Sequence, residues 1–136
     1  MHLERIALLL GGLLAGAGTI AAQQRSTTSP TAAITPALIA RGDSVYHGQV
    51  AGGTCSACYG DEGKGNEALA PGFTSGRWLG GDGSYPFIVR VVAQGVAKPK
   101  QGQVTMPPNG GAQLTPLDVR AVAAYVYSLS HPLPGK

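Results

Sequence analysis

Two cysteines stand three residues apart in Cys55-Ser56-Ala57-Cys58-Tyr59-Gly60, and they are the only two in 136 residues. So close a pair admits few chemistries: a local disulfide, a redox-active dithiol, a metal site, or covalent attachment of a prosthetic group. A four-ligand zinc site needs further Cys or His, and His47 and His131 are far apart in the chain. A thioredoxin-like dithiol would need strands around it, and no alternating apolar run bounded by hairpin turns is present. Composition calls for a further source of stability. With 21 Gly, 10 Pro, 6% aromatic and 12% charged residues, this is a loop-rich chain of short helices, held together by something other than apolar area alone. A buried group would supply what a core of about a hundred residues lacks.

The N-terminal residues 1–22 read as a signal peptide: Arg5 in a short n-region, an apolar run from Ile6 to Ile20, then Ala21 and Ala22 before Gln23. Gly11, Gly12, Gly16 and Gly18 interrupt the run, which falls short of the roughly 20 apolar residues of a spanning helix. The alternative is an uncleaved N-terminal anchor. Either way the domain is exported, periplasmic or otherwise on the exterior side, and it contacts the membrane only if the segment is retained. Removing residues 1–22 takes away Glu4 and Arg5, so the net charge stays at +3. No Lys/Arg run is interleaved with aromatics, which leaves nucleic acid without support and licenses only a preference for an acidic partner surface. Residues 23–35, rich in Ser, Thr, Ala and Pro, form a flexible linker, and 36–136 is the domain.

Three amphipathic segments follow. Thr35-Pro36 is a cap and first-turn proline, with Leu38, Gly42, Val45 and Tyr46 on one face, predicting a helix over about 36–49. Asp82 and Ser84 are candidate caps for a second, with Pro86 in its first turn, Phe87, Ile88, Val91 and Val92 inward, and Gly95 ending it. Thr115-Pro116-Leu117-Asp118 opens a third, with Val119, Val122, Val126 and Leu129 in register. Residues 98–108 read as loop. The class is all-α.

Over about residues 36–131 the chain resembles class I cytochrome c. The resemblance rests on Gly42 with Tyr46, Cys55-Ser56-Ala57-Cys58 with Gly60, Lys64-Gly65, Met106-Pro107-Pro108 before Asn109-Gly110-Gly111, and Leu114-Thr115 opening a helix that contains Ala124-Tyr125-Val126. It implies three to four short helices with long Gly/Pro-rich loops around one covalent haem c, tethered by Cys55 and Cys58. Met106 would be an axial ligand. One residue departs from the pattern: Tyr59 stands where the family has its ligating histidine.

Met106 is the only methionine after the signal segment, and Pro107 and Pro108 stiffen its loop; the bland alternative is a gap-filler. Tyr59 has three readings. It ligates ferric iron as phenolate, swings aside as a neutral phenol to leave an open iron, or marks a decayed site. His47 and His131 are the substitute ligands, both poorly placed. Trp78 is a candidate haem-edge cover or propionate donor and Arg77 a propionate partner. Lys64, Lys98 and Lys100 are candidates to rim the haem edge and steer an acidic partner, the alternative being an ordinary solvated face.

No catalytic acid, base or nucleophile constellation stands out, so the chain reads as an electron carrier rather than an enzyme. Its partners would be redox proteins, including membrane-bound respiratory or photosynthetic complexes. The alternatives are a ligand-sensing or peroxidase-like haem protein, and a structural subunit that kept the fold without haem.

Overall fold

The computed structural model describes residues 34–102 and 104–131; the expected signal peptide, nearly all of the expected linker and residues 132–136 lie outside the described residues. Thr35 caps helix α1, Pro36–Tyr46, its hydroxyl accepting from the Leu38 N–H at 3.2 Å. The helix stops three residues short of the expected 49. Beyond Tyr46 the Gln49 and Val50 amides both turn back to the Ser44 carbonyl, which ends the regular ladder. A one-turn helix α2, Cys55–Tyr59, follows. It is too short to show periodicity in sequence.

Ser84 caps α3, Tyr85–Gln94, accepting from the Phe87 N–H at 3.3 Å, while Asp82 Oδ1 accepts from the Ser84 N–H. The second candidate cap therefore braces the first. Helix α4, Pro116–Ser128, opens with a complete capping box: the Thr115 hydroxyl accepts from the Asp118 N–H, and the Asp118 carboxylate accepts from the Thr115 N–H. Leu129, expected within this helix, is its C-cap. A 3₁₀ turn, Pro108–Gly111, lies in the loop between α3 and α4. Among the described residues there are no strands, only two isolated bridges, so the all-α expectation holds.

Helix α1 packs along α4, and α3 also packs against α4. Val45 and Tyr46 meet Val122, Ala123 and Val126, with Ile88 and Val92 completing the core. The α1–α4 approach depends on Gly42, where a Cβ would lie 2.0 Å from the Ala121 carbonyl oxygen. Across this contact the Arg41 guanidinium grips the buried Asp118 carboxylate at 2.6 Å. No described helix is long and apolar enough to cross a membrane.

Candidate cofactor site

Helix α2 carries Cys55, Cys58 and Tyr59 within little more than one turn, so all three are presented from one short rod. Both cysteines are half-buried free thiols. Burial pushes the Cys55 thiol pKa up. The segment that follows is tightly held: the Tyr46 hydroxyl donates to the Gly60 carbonyl at 2.7 Å, and the Gly65 N–H donates to the Tyr59 carbonyl at 2.8 Å.

Met106 lies outside every helix, as its sequence setting predicts. Its backbone is pinned by two hydrogen bonds to Val96: the Val96 N–H donates to Met106 at 2.8 Å and the Met106 N–H donates back at 3.0 Å. Gly95 permits this approach. Its φ is 72°, and a Cβ there would sit 2.2 Å from the Met106 carbonyl oxygen. The thioether thus faces α2, where the Tyr59 hydroxyl donates to Met106 Sδ at 3.2 Å. Burial, and then the neighbouring Cys58 and Cys55 thiols, push the Tyr59 phenol up to about 12, which keeps its proton on the oxygen at neutral pH.

The Tyr59–Met106 contact lies between two clefts. The smaller, about 60 Å³, is lined by Cys55, Cys58, Tyr59, Leu69, Met106 and Pro107 among others. The larger, about 350 Å³, has Leu69, Phe73, Trp78, Phe87, Val91 and Met106 on its walls, with Arg77, Lys98 and Lys100 also lining it. A run of aromatic rings forms one side: Tyr59 to Phe73 at 4.5 Å, then Phe73 stacked on Trp78 at 5.6 Å and 15°. Trp78 Nε1 is buried with no hydrogen-bond partner. An N–H left unmade in this way costs about 1–3 kcal/mol.

All six residues expected at a cofactor line one or both clefts: Cys55, Cys58, Tyr59, Met106, Arg77 and Trp78. Of the lysines, Lys98 and Lys100 line the larger cleft, whereas Lys64 is ion-paired with Glu62. Neither substitute histidine approaches the site. His47 is engaged by Asp43 and Asp61, and His131 stacks on Tyr127 at 4.0 Å and 4°. Sequence reasoning missed Phe73, because an isolated aromatic in a Gly-rich loop carries no periodic signal. It also passed over the tie between His47 and the Asp61 carbonyl; the Asp43/His47 spacing of four within a helix was the available clue.

The residues fit a porphyrin. Two free thiols are placed to tether it, the walls are apolar, a thioether faces the cleft, and an unsatisfied indole N–H and three cations suit its carboxylates. The Cytochrome c family model matches residues 39–130. Among curated relatives, cbb3-type cytochrome c oxidase subunit FixP of Bradyrhizobium diazoefficiens is 36% identical over 76 residues, covering 55% of this chain and 23% of its own length. Subunit CcoP of the same type of oxidase, from Cereibacter sphaeroides, is 35% identical over 95 residues, covering 68% of this chain and 28% of its own. The chain therefore spans about a quarter of the length of these relatives. A chain of the Kuenenia stuttgartiensis reducing HAO-like protein complex superposes with a TM-score of 0.53 at 22% identity, covering 72% of this chain and 46% of that one, and so shares the fold. With its cysteine pair, its methionine loop and two thirds of its length matched, the chain belongs to the cytochrome c family, and its prosthetic group is a covalently bound haem c.

Proposed function

We propose that this chain is an exported carrier of single electrons in which Tyr59 takes the place at the iron that histidine holds in its family. Its redox partners belong to a membrane-bound respiratory complex. The observation that carries this reading is the convergence of Cys55, Cys58, Tyr59 and Met106 on one cleft from segments about fifty residues apart. The names of the relatives, subunits of a cbb3-type oxidase, support the partner class.

When bound, haem c supplies one-electron exchange at its iron. The chain's own residues do the rest. Cys55 and Cys58 tether the group, and the Val96 bridge holds the Met106 thioether in place. Leu69, Phe73 and Phe87 exclude water and keep the local dielectric low, while the Trp78 N–H and Arg77 hold the carboxylates. Lys98 and Lys100 attract an acidic partner surface.

The mass of the mature protein, with in-gel haem staining after boiling in reductant, tests the reading. Expected is one porphyrin per chain and loss of residues 1–22; protein without covalent haem overturns it. A Tyr59→His variant should alter the haem spectrum, and an unchanged spectrum would remove Tyr59 from the iron.

The 3.2 Å hydrogen bond from Tyr59 to Met106 Sδ favours a second reading, in which the phenol stays neutral and the bound iron would be accessible to a small ligand. Rapid carbon monoxide binding to the reduced protein would select it.

A further inference from the structure

His47 lies outside the clefts, yet both of its ring nitrogens are committed. Nδ1 is 2.9 Å from the Asp43 carboxylate and 3.0 Å from the Asp43 carbonyl, and Nε2 is 3.0 Å from the Asp61 carbonyl. Every partner is an acceptor. Neutral imidazole has a single N–H, so one nitrogen would aim a lone pair at an oxygen; only the imidazolium donates on both sides. On the adjacent residue, the Tyr46 hydroxyl donates to the Gly60 carbonyl at 2.7 Å. Two consecutive side chains at the end of α1 therefore hold the two consecutive carbonyls that follow Tyr59. From the other side the Gly63 N–H donates to the Gly60 carbonyl at 3.1 Å and the Gly65 N–H to the Tyr59 carbonyl at 2.8 Å.

The groups facing His47 are few. Asp43 lies on its own helix, Asp61 in the loop after α2, Tyr46 beside it with ring centroids 5.0 Å apart, and Tyr125 of α4 at 5.9 Å. Burial raises the pKa of both phenols, so neither carries charge where an imidazole titrates. The ionised neighbours are carboxylates, which favour the imidazolium. Burial alone would lower the His47 pKa, but the Asp43 and Asp61 carbonyls and the Asp43 carboxylate outweigh it and leave it raised.

We propose that His47 is a positioning residue for Tyr59: as imidazolium it clasps the Asp61 carbonyl to Asp43, and on deprotonation, with its one remaining proton kept at Nδ1 by the Asp43 carboxylate, it releases the Gly60–Asp61 segment beside the cofactor. The purpose of the clasp rests on the proposed role of Tyr59, whereas the clasp itself does not.

Residue-resolved hydrogen exchange at the Gly63 and Gly65 amides of the full chain, followed from about pH 5 to 9 beside the His47 ring titration, tests it. Intrinsic exchange rates are divided out. Protection should fall about tenfold as the imidazole loses its proton, the scale of one charge-assisted hydrogen bond. His47→Gln, which keeps an N–H donor and does not titrate, should hold protection constant, and His47→Ala should show the low value throughout. Protection that stays flat across the titration in the wild-type chain, or persists in His47→Ala, overturns the proposal. Exchange that follows the imidazole in a protein whose haem spectrum ignores Tyr59→Phe supports the clasp and removes only Tyr59 from the iron.

Discussion

Val96 and Met106 exchange both of their backbone hydrogen bonds, at 2.8 and 3.0 Å, tying the first residues after α3 to the methionine loop. Gly95, immediately before, has φ 72° and ψ −169°, a region open to little but glycine. Gly95→Ala should cost about 1–3 kcal/mol from the backbone alone and push the Met106 carbonyl away. Urea unfolding measures the first effect, and loss of methionine-dependent features in the haem spectrum the second.

Gly42→Ala should be destabilising for a different reason. The added methyl meets the Ala121 backbone at 2.0 Å, so α1 and α4 must separate. Overpacking of this kind costs about 1–3 kcal/mol. The urea midpoint should drop, while the haem spectrum of the remaining folded protein stays that of the wild type.

Trp78→Phe separates two roles of the indole. In haem-free protein its Nε1–H is buried and unpartnered, so losing it offsets part of the packing lost from the stack on Phe73, and the destabilisation should be small. In haem-loaded protein the same change should lower the melting temperature, because a donor to a carboxylate is lost. Comparing the two melting shifts checks this, and equal shifts of one sign would refute it.

Asp118 should govern acid stability. Its pKa is lowered first by the Thr115 hydroxyl, against the opposing effect of burial, and then by the Thr115 amide and the Arg41 guanidinium. A depressed folded value means its contribution is present above the unfolded carboxylate value of about 3.9 and lost as pH falls through the folded one. Urea stability of the wild type should therefore fall below about pH 4, and Asp118→Asn should be weaker at neutral pH with a shallower acid limb.

Helices α1, α3 and α4 were legible because each opens on a hydroxyl cap with a proline in its first turn, at Thr35-Pro36, Ser84 with Pro86, and Thr115-Pro116. Such signals are local, and a sequence displays them directly. Helix α2 was not legible, since five residues cannot establish a period. The cysteines and Met106 were recognisable by spacing and loop chemistry. Their meeting, and the contact of Tyr59 with the sulfur, depends on a fold that joins positions 47 apart. Lys64 is the solvated side chain that its type most often marks, paired on the surface with Glu62 two residues away.

The Arg41–Asp118 grip joins residues 77 apart, on the first and last helices of the described chain. Closing a loop of that length costs chain entropy that the α1–α4 packing must offset, and it cannot happen before the last helix has been made. A chain emerging N-terminus first presents Cys55 and Cys58 well before α4 is available to lock α1. Until then the two thiols of α2, half-buried even in the finished fold, sit in a chain whose α1–α4 core has not yet closed.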